Sequence, residues 1–354
     1  MNLLPVRTVQ RLLGASFAAV LLATSVPTSV RGADTVTIRV GVLNVGSDAP
    51  FLIADKKGYF KDEGINVVFT TFASAGLMVV PLSSAQLDVG GGAPAVAIYN
   101  AAVHGIDVKV VADRASDAPG YGFDPLLVRT ELIKSGRFKT PKDLKGMTIA
   151  GNQPGSVSTV ALYELLKKYG LTWTDIKRVN LDYPDHVAAL QNGKVDASIT
   201  TEPQATEAVL SGAVTRVMGD DAWYPDQEIS VLIYSGAFIR DHRDVTHKFM
   251  RAYLRAVRYY IGALRGGHFA GPNAADVISI LTATTSLKDP AAYQTMTPGS
   301  IDPNGKLKLA SMRKDLQYFK DQGLIEGPVK VEDVVDESIL NEVLKEMGPY
   351  KGPR

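Results

Sequence analysis

From Val36 onward, apolar positions switch between a period of two and the wider spacing of a helix face. Val36, Ile38, Val40 and Val42 alternate with other residues, which predicts a strand with one buried face. Phe51, Ile53, Ala54 and Tyr59 fall at helical spacing across 49–60, and 65–72 is rich in β-branched and aromatic residues, as a strand favours. A helix over 77–87, a short strand at 87–89, a helix over 95–104 and a strand at 108–112 follow. The βαβαβ run is the signature of an open, mostly parallel sheet covered by helices.

The pattern then repeats. Strands are predicted at 147–150, 176–181, 195–200 and 214–218, with helices over 157–169, 186–191 and 203–210 between them. Leu82 to Asp88 and Leu190 to Asp196 share their spacing, each ending a helix and entering a strand through its aspartate. Pro94 and Pro203 each head the helix that follows. Two similar α/β lobes account for this self-similarity. Between them 113–124 carries Pro119, Gly120 and Gly122 and leads into an extended segment, 125–129; a second extended segment, 229–239, follows the second lobe. Mainly helices come after it, at 244–265, 274–284, 306–322 and 334–347. The second lobe, 123–232, is therefore expected as an insertion in the first, 34–122 plus 233–354. Two strand-like crossings between lobes form a hinge able to close around a ligand.

Composition narrows the chemistry. Lysine plus arginine number 38 and aspartate plus glutamate 37, so the net charge of +1 points to no nucleic-acid partner. Cysteine is absent, which excludes thiolate metal sites, disulfides, a cysteine nucleophile and a lipid anchor on an N-terminal cysteine. Arg7 and Arg11 precede an apolar run, 12–22, followed by small and turn-forming residues to Ala33. A basic flank, a short apolar core and a small-residue exit read as a signal peptide, 1–33, cut after Gly32 or Ala33. Export without a lipid anchor implies a free protein in the periplasm.

In open parallel sheets ligands bind beyond the carboxyl ends of the strands. That rule selects Ser47 and Asp48, 73–76 with Ser74 and Ala75, 90–94 with Gly92 and Ala93, and Arg114 in the first lobe. In the second it selects 152–159 with Gly155, Ser156, Ser158 and Thr159, then Tyr183 and Glu202. Free N–H groups at 155–159 and 90–94 would favour an oxyanion; Ser156 and Asp48 serve equally well as plain N-caps. Arg114 reads as a clamp on a carboxylate or sulfonate, or as one half of a salt bridge within the hinge. Glu202 and Asp48 suggest instead that the ligand also offers an N–H donor. Among the aromatic residues near the crossings, Tyr183 and Tyr234 are candidates for stacking on it. The five histidines form no H-E-x-x-H pair and read as surface or capping residues. Nucleophile-elbow, phosphate-loop and dinucleotide motifs are missing.

The stretches DAPFLIADKKGYFKDEG (48–64), PLSSAQLDVGGGAPA (81–95), HGIDVKVVADR (104–114), DLKGMTIAGNQPGSVSTVALYELLKKYGL (143–171) and ALQNGKVDASITTEPQA (189–205) resemble the sulfonate/nitrate/taurine-type substrate-binding proteins of ABC importers. Relatives of these include pyrimidine-precursor-binding proteins and synthases. The resemblance implies a type II periplasmic binding fold and delivery of a small, anionic solute to an inner-membrane permease, with no cofactor and as a monomer. It implies ligand contacts at Ser47, Asp48, Ser74, Ala75, Gly92, Ala93, Arg114, 155–159, Tyr183 and Glu202. Two alternatives are a sensor that presents ligand to a membrane receptor and a pyrimidine-precursor synthase. The synthase would call for a lysine, a histidine and a cysteine-rich iron site, and the chain has no cysteine.

Overall fold

The computed structural model of the protein describes residues 35–352, so the expected signal peptide lies outside the described residues. Ten strands form two five-stranded sheets. The first contains β1 (Val36–Val42), β2 (Ile65–Thr71), β3 (Val89–Gly92), β4 (Val108–Ser116) and β10 (Glu228–Ser235), in the order β2-β1-β3-β10-β4. The second contains β5 (Leu126–Arg129), β6 (Thr148–Gly151), β7 (Lys177–Asn180), β8 (Ala197–Ile199) and β9 (Val214–Met218), in the order β7-β6-β8-β5-β9. Neighbours of β1 and of β6 run parallel to them. β10 and β5 run antiparallel to both of their neighbours. Each sheet is thus mostly parallel, with one reversed strand in its fourth place, and that strand is the first to follow a crossing between lobes.

β10 corrects the expected boundary at 232/233. Val231 and Leu232 pair with Gly92 and Gly91 of the first sheet, so the return crossing ends before Glu228. The two crossings are tied to each other: Asp117 N–H donates to the Gln227 carbonyl at 3.0 Å, and Asp226 N–H donates to the Asp117 carbonyl at 2.7 Å.

The repeated Leu-to-Asp segments do the same work in both lobes. Asp88 accepts from the Arg39 main-chain N–H of β1 at 2.8 Å, and Asp196 accepts from the Thr148 N–H of β6 at 2.9 Å. Each aspartate thereby ties the strand it enters to the parallel neighbour, β1 in one lobe and β6 in the other. Several helices are shorter than periodicity suggested. The span 49–60 is two helices, Ala49–Lys56 and Tyr59–Asp62, parted at Gly58, whose φ of +73° suits a residue without a side chain. The span 334–347 is likewise interrupted, into Val331–Val334 and Ser338–Met347.

Alternation along the strands divides the interior into layers. Leu232 and Tyr234 of β10 join the outer core of the first lobe, against the helix Arg243–Ile261. Val231 and Ile233 face the other way, into an apolar layer shared by both lobes. In the second lobe Leu126 and Val128 enter that shared layer, while Leu127 faces a smaller core of its own. Met312, Leu316 and Phe319 of the helix Leu309–Asp321 fill the shared layer beside Val160 and Leu165 of the helix Val157–Lys168. No helix among the described residues is long and apolar enough to cross a membrane.

Candidate functional site

A cavity of about 1190 Å³ lies between the lobes, under the ends of β1, β3, β6 and β8. Its volume somewhat exceeds the range of small-molecule sites, about 300–1,000 Å³. The lobes meet at its rim through two main-chain hydrogen bonds: Val96 N–H donates to the Gly155 carbonyl at 3.1 Å, and Gly46 N–H to the Glu202 carbonyl at 3.0 Å. Gly155 has a φ of +86°, and a Cβ there would stand 2.8 Å from the Val96 side chain. That close approach requires glycine.

Of the residues selected from sequence, Ser47, Ser74, Ala75, Ala93, Gly155, Ser156 and Tyr183 line the cavity. Ser156 is also the N-cap of the helix Val157–Lys168, accepting from Thr159 N–H at 3.3 Å. The structure sets the others elsewhere. Arg114 is fully buried below the cavity, its guanidinium paired with the Asp48 carboxylate and donating to Ser230 Oγ at 3.1 Å. Its salt bridge is therefore made with Asp48 rather than with Asp113 or Asp117, while its Nη2 has no hydrogen-bond partner. Asp48 spends its second oxygen on the main-chain N–H groups of Leu43 and Val45, both at 3.1 Å, and so shapes the first loop. Glu202 accepts from Arg216 at 2.6 Å and from Thr206 N–H at 2.9 Å, leaving neither carboxylate oxygen for a ligand. Gly92 packs on Ala75, where a Cβ would approach to 2.5 Å. Ser158 bonds to Ser156 Oγ at 3.0 Å and lies outside the lining. Thr159 borders a separate cavity of about 350 Å³ with Arg178. Tyr234 is buried among Phe238 and Phe249.

His186 departs from the surface role expected of every histidine. It is fully buried, bonded to Thr200 Oγ1 at 2.9 Å and the Leu181 carbonyl at 3.2 Å, and burial lowers its pKa to about 4.

The lining carries no lysine, arginine or histidine among the described residues. Two N–H groups of the expected 155–159 nest are already taken: Ser156 donates to the Gln153 carbonyl and Thr159 to Ser156. A cationic group next to the lining is Arg114, whose unpaired Nη2 lies buried beside Ser47 and Ser230.

Phe123, one of the aromatic residues near the crossings, and Val157 of the selected 152–159 segment form apolar wall with Phe72 and Ile229, which the sequence did not single out; nor did it single out Asp124 and Gln204, buried polar groups of the lining. Asp124 Oδ1 and Gln204 Oε1 have no hydrogen-bond partner. Burial and the nearby Asp220 carboxylate push the Asp124 pKa up to about 8. An aspartate inside the apolar run Phe123–Val128 was the available signal. No group of three or more acidic or histidine side chains is placed to hold a metal among the described residues.

Two mixed sheets flanked by helices, joined by paired crossings beside an interlobe cleft, define the class: a two-lobed α/β periplasmic binding-protein fold. The chain belongs to the NMT1/THI5-like family, whose profile matches residues 47–263. It is 38% identical over 102 residues to the putative aliphatic sulfonates-binding protein of Escherichia coli K12, covering 28% of this chain and 31% of that one. It is 25% identical over 225 residues to the 4-amino-5-hydroxymethyl-2-methylpyrimidine phosphate synthase of Aspergillus parasiticus, covering 60% and 63%. Each alignment therefore spans less than two thirds of the curated relative. The fold matches that of the alkanesulfonate-binding protein SsuA of Xanthomonas axonopodis pv. citri bound to MOPS, with a TM-score of 0.68 and 19% identity over 86% of this chain and 99% of that one.

Proposed function

We propose that this chain is an exported solute receptor of an ABC importer: it captures a small organic molecule between its lobes and presents the closed form to an inner-membrane permease. The carrying observation is the interlobe cavity, bridged at its rim by hydrogen bonds from both lobes while two paired crossings join them. A ligand filling such a space favours closure by its differential affinity for the closed state. The names of the relatives and the expected signal peptide support a periplasmic location, and no second subunit is needed to complete the cavity. Receptor rather than synthase is supported by the binding-protein names of relatives such as the putative aliphatic sulfonates-binding protein and the alkanesulfonate-binding protein.

The test is a thermal-shift screen of small organic solutes on the processed chain, followed by small-angle scattering. A true ligand at one hundred times its Kd raises stability by about 2.7 kcal/mol and contracts the molecule. Consumption of a solute by the isolated chain, or binding with no contraction, would overturn the proposal.

A further inference from the structure

The floor of the cavity, on the second-lobe side, is acidic, and the Thr201 side chain is one donor to Asp124 there. Asp124 and Gln204 stand on adjoining segments there, since Thr200 N–H donates to the Pro125 carbonyl at 3.3 Å. Asp124 is 1% exposed and Gln204 7%, yet one acceptor oxygen of each is unpaired. A buried acceptor without a donor carries its full desolvation cost, so both positions await one. Behind Asp124 lie further carboxyl groups: Asp117, Asp220 and Glu202 are all buried nearby, and Arg216 is engaged by Glu202. Glu207 adds a further carboxyl to the lining. The rest of the wall offers apolar surface from Phe72, Phe123, Val157 and Ile229.

We infer that the solute is an organic amine or amidine, an apolar body with a positively charged N–H head received by Asp124 and Gln204. The inference rests on the receptor proposal and deepens it by naming the ligand class. A cation at Asp124 supplies the donor and stabilises the ionised carboxylate, whose proton burial otherwise retains at neutral pH; a sulfonate or carboxylate offers no donor to either unpaired oxygen. An apolar body fits because the space far exceeds a compact inorganic ion and Phe72, Phe123, Val157 and Ile229 offer it apolar wall.

The experiment uses the processed chain and a series matched in skeleton: 1-naphthylmethylamine, 1-naphthamidine, 1-naphthoate and 1-naphthalenesulfonate, by thermal shift and calorimetry. The expected result is stabilisation by the amine or the amidine and none by the two acids. Asp124→Asn should weaken binding of the cationic probe about 10- to 100-fold, the range for loss of one hydrogen bond to a charged group. Asn closely matches the neutral carboxyl in shape, and far-UV circular dichroism checks the fold; if that variant misfolds, Gln204→Met decides, with a smaller loss of the same sign. Stabilisation by the acids alone would overturn the ligand class and leave the receptor proposal standing. No stabilisation by any of the four overturns the class for this skeleton, and the broader solute screen then judges the receptor proposal separately. Unchanged affinity in both variants overturns the assignment of Asp124 and Gln204.

Discussion

Arg114 and Asp48 are both buried, and each neutralises the other below the cavity floor. Removing one partner strands the other charge in the interior, which typically costs about 3–5 kcal/mol. Arg114→Ala should therefore lower the urea midpoint sharply, while any molecules still folded bind solute with unaltered affinity. A normal midpoint with lost affinity would restore the clamp. Gly155 is a second residue whose role is local and testable. Its left-handed φ and its contact with Val96 make Gly155→Ala strain the loop and wedge the rim apart. A side chain in that backbone region costs roughly 1–2 kcal/mol, so closure should weaken by about that amount. The readout is a larger radius of gyration in the presence of solute together with a raised Kd; a variant that contracts like the parent sinks it. Arg114 also marks what sequence conceals. The strand-end rule located its Cα correctly relative to the sheet but carries no information on side-chain direction, and its partner is 66 residues away.

At the level of elements, the crossings gather carboxyl groups with few cations. Burial and mutual repulsion raise Asp117 well above the ordinary carboxylate value, Asp124 to about 8 and Asp220 to about 6, against a usual 3.8. Asp113 and Asp315, each at about 7, shift in the same direction, mainly through burial, and Glu228 is likewise raised well above its ordinary value. A raised carboxyl means that the folded chain holds more protons than the unfolded one between the two values. Stability from these groups is greatest below about pH 4 and falls as pH rises toward 8. His186 works oppositely, but only between its lowered value of about 4 and the usual 6.5. The window from pH 6.5 to 8 therefore isolates the carboxyls: unfolding free energy should decline across it, and Asp117→Asn should flatten the decline. A flat or rising profile in the parent would contradict the account. The strands themselves were legible, because Val36 to Val42 and Leu126 to Val128 bury alternate faces. Helix ends were less so, since Gly58 halts a pattern whose apolar spacing continues past it.

Across the whole molecule, the two lobes share an apolar layer through the helix Leu309–Asp321, despite their separate sheets. Such a layer couples their stabilities, and thermal unfolding should be a single transition. Trp173 and Trp223 both belong to the second-lobe side of the molecule, whereas far-UV dichroism samples both lobes. Coincident melts by the two probes are expected; fluorescence changing first would mean that the lobes part company. The lobed plan was legible because Asp88 and Asp196 repeat one structural task at one spacing. The shared layer was not, because it joins residues near 80, 160, 230 and 316 that no local pattern connects. The strand order has a consequence for how the chain assembles. β10 is wedged between β3 and β4, so β4 has no neighbour until residue 228 has been synthesised, while every strand of the other sheet is made by residue 218. The inserted half can thus finish its backbone pairing first, and the half that begins the chain is obliged to wait with an open slot for its last strand.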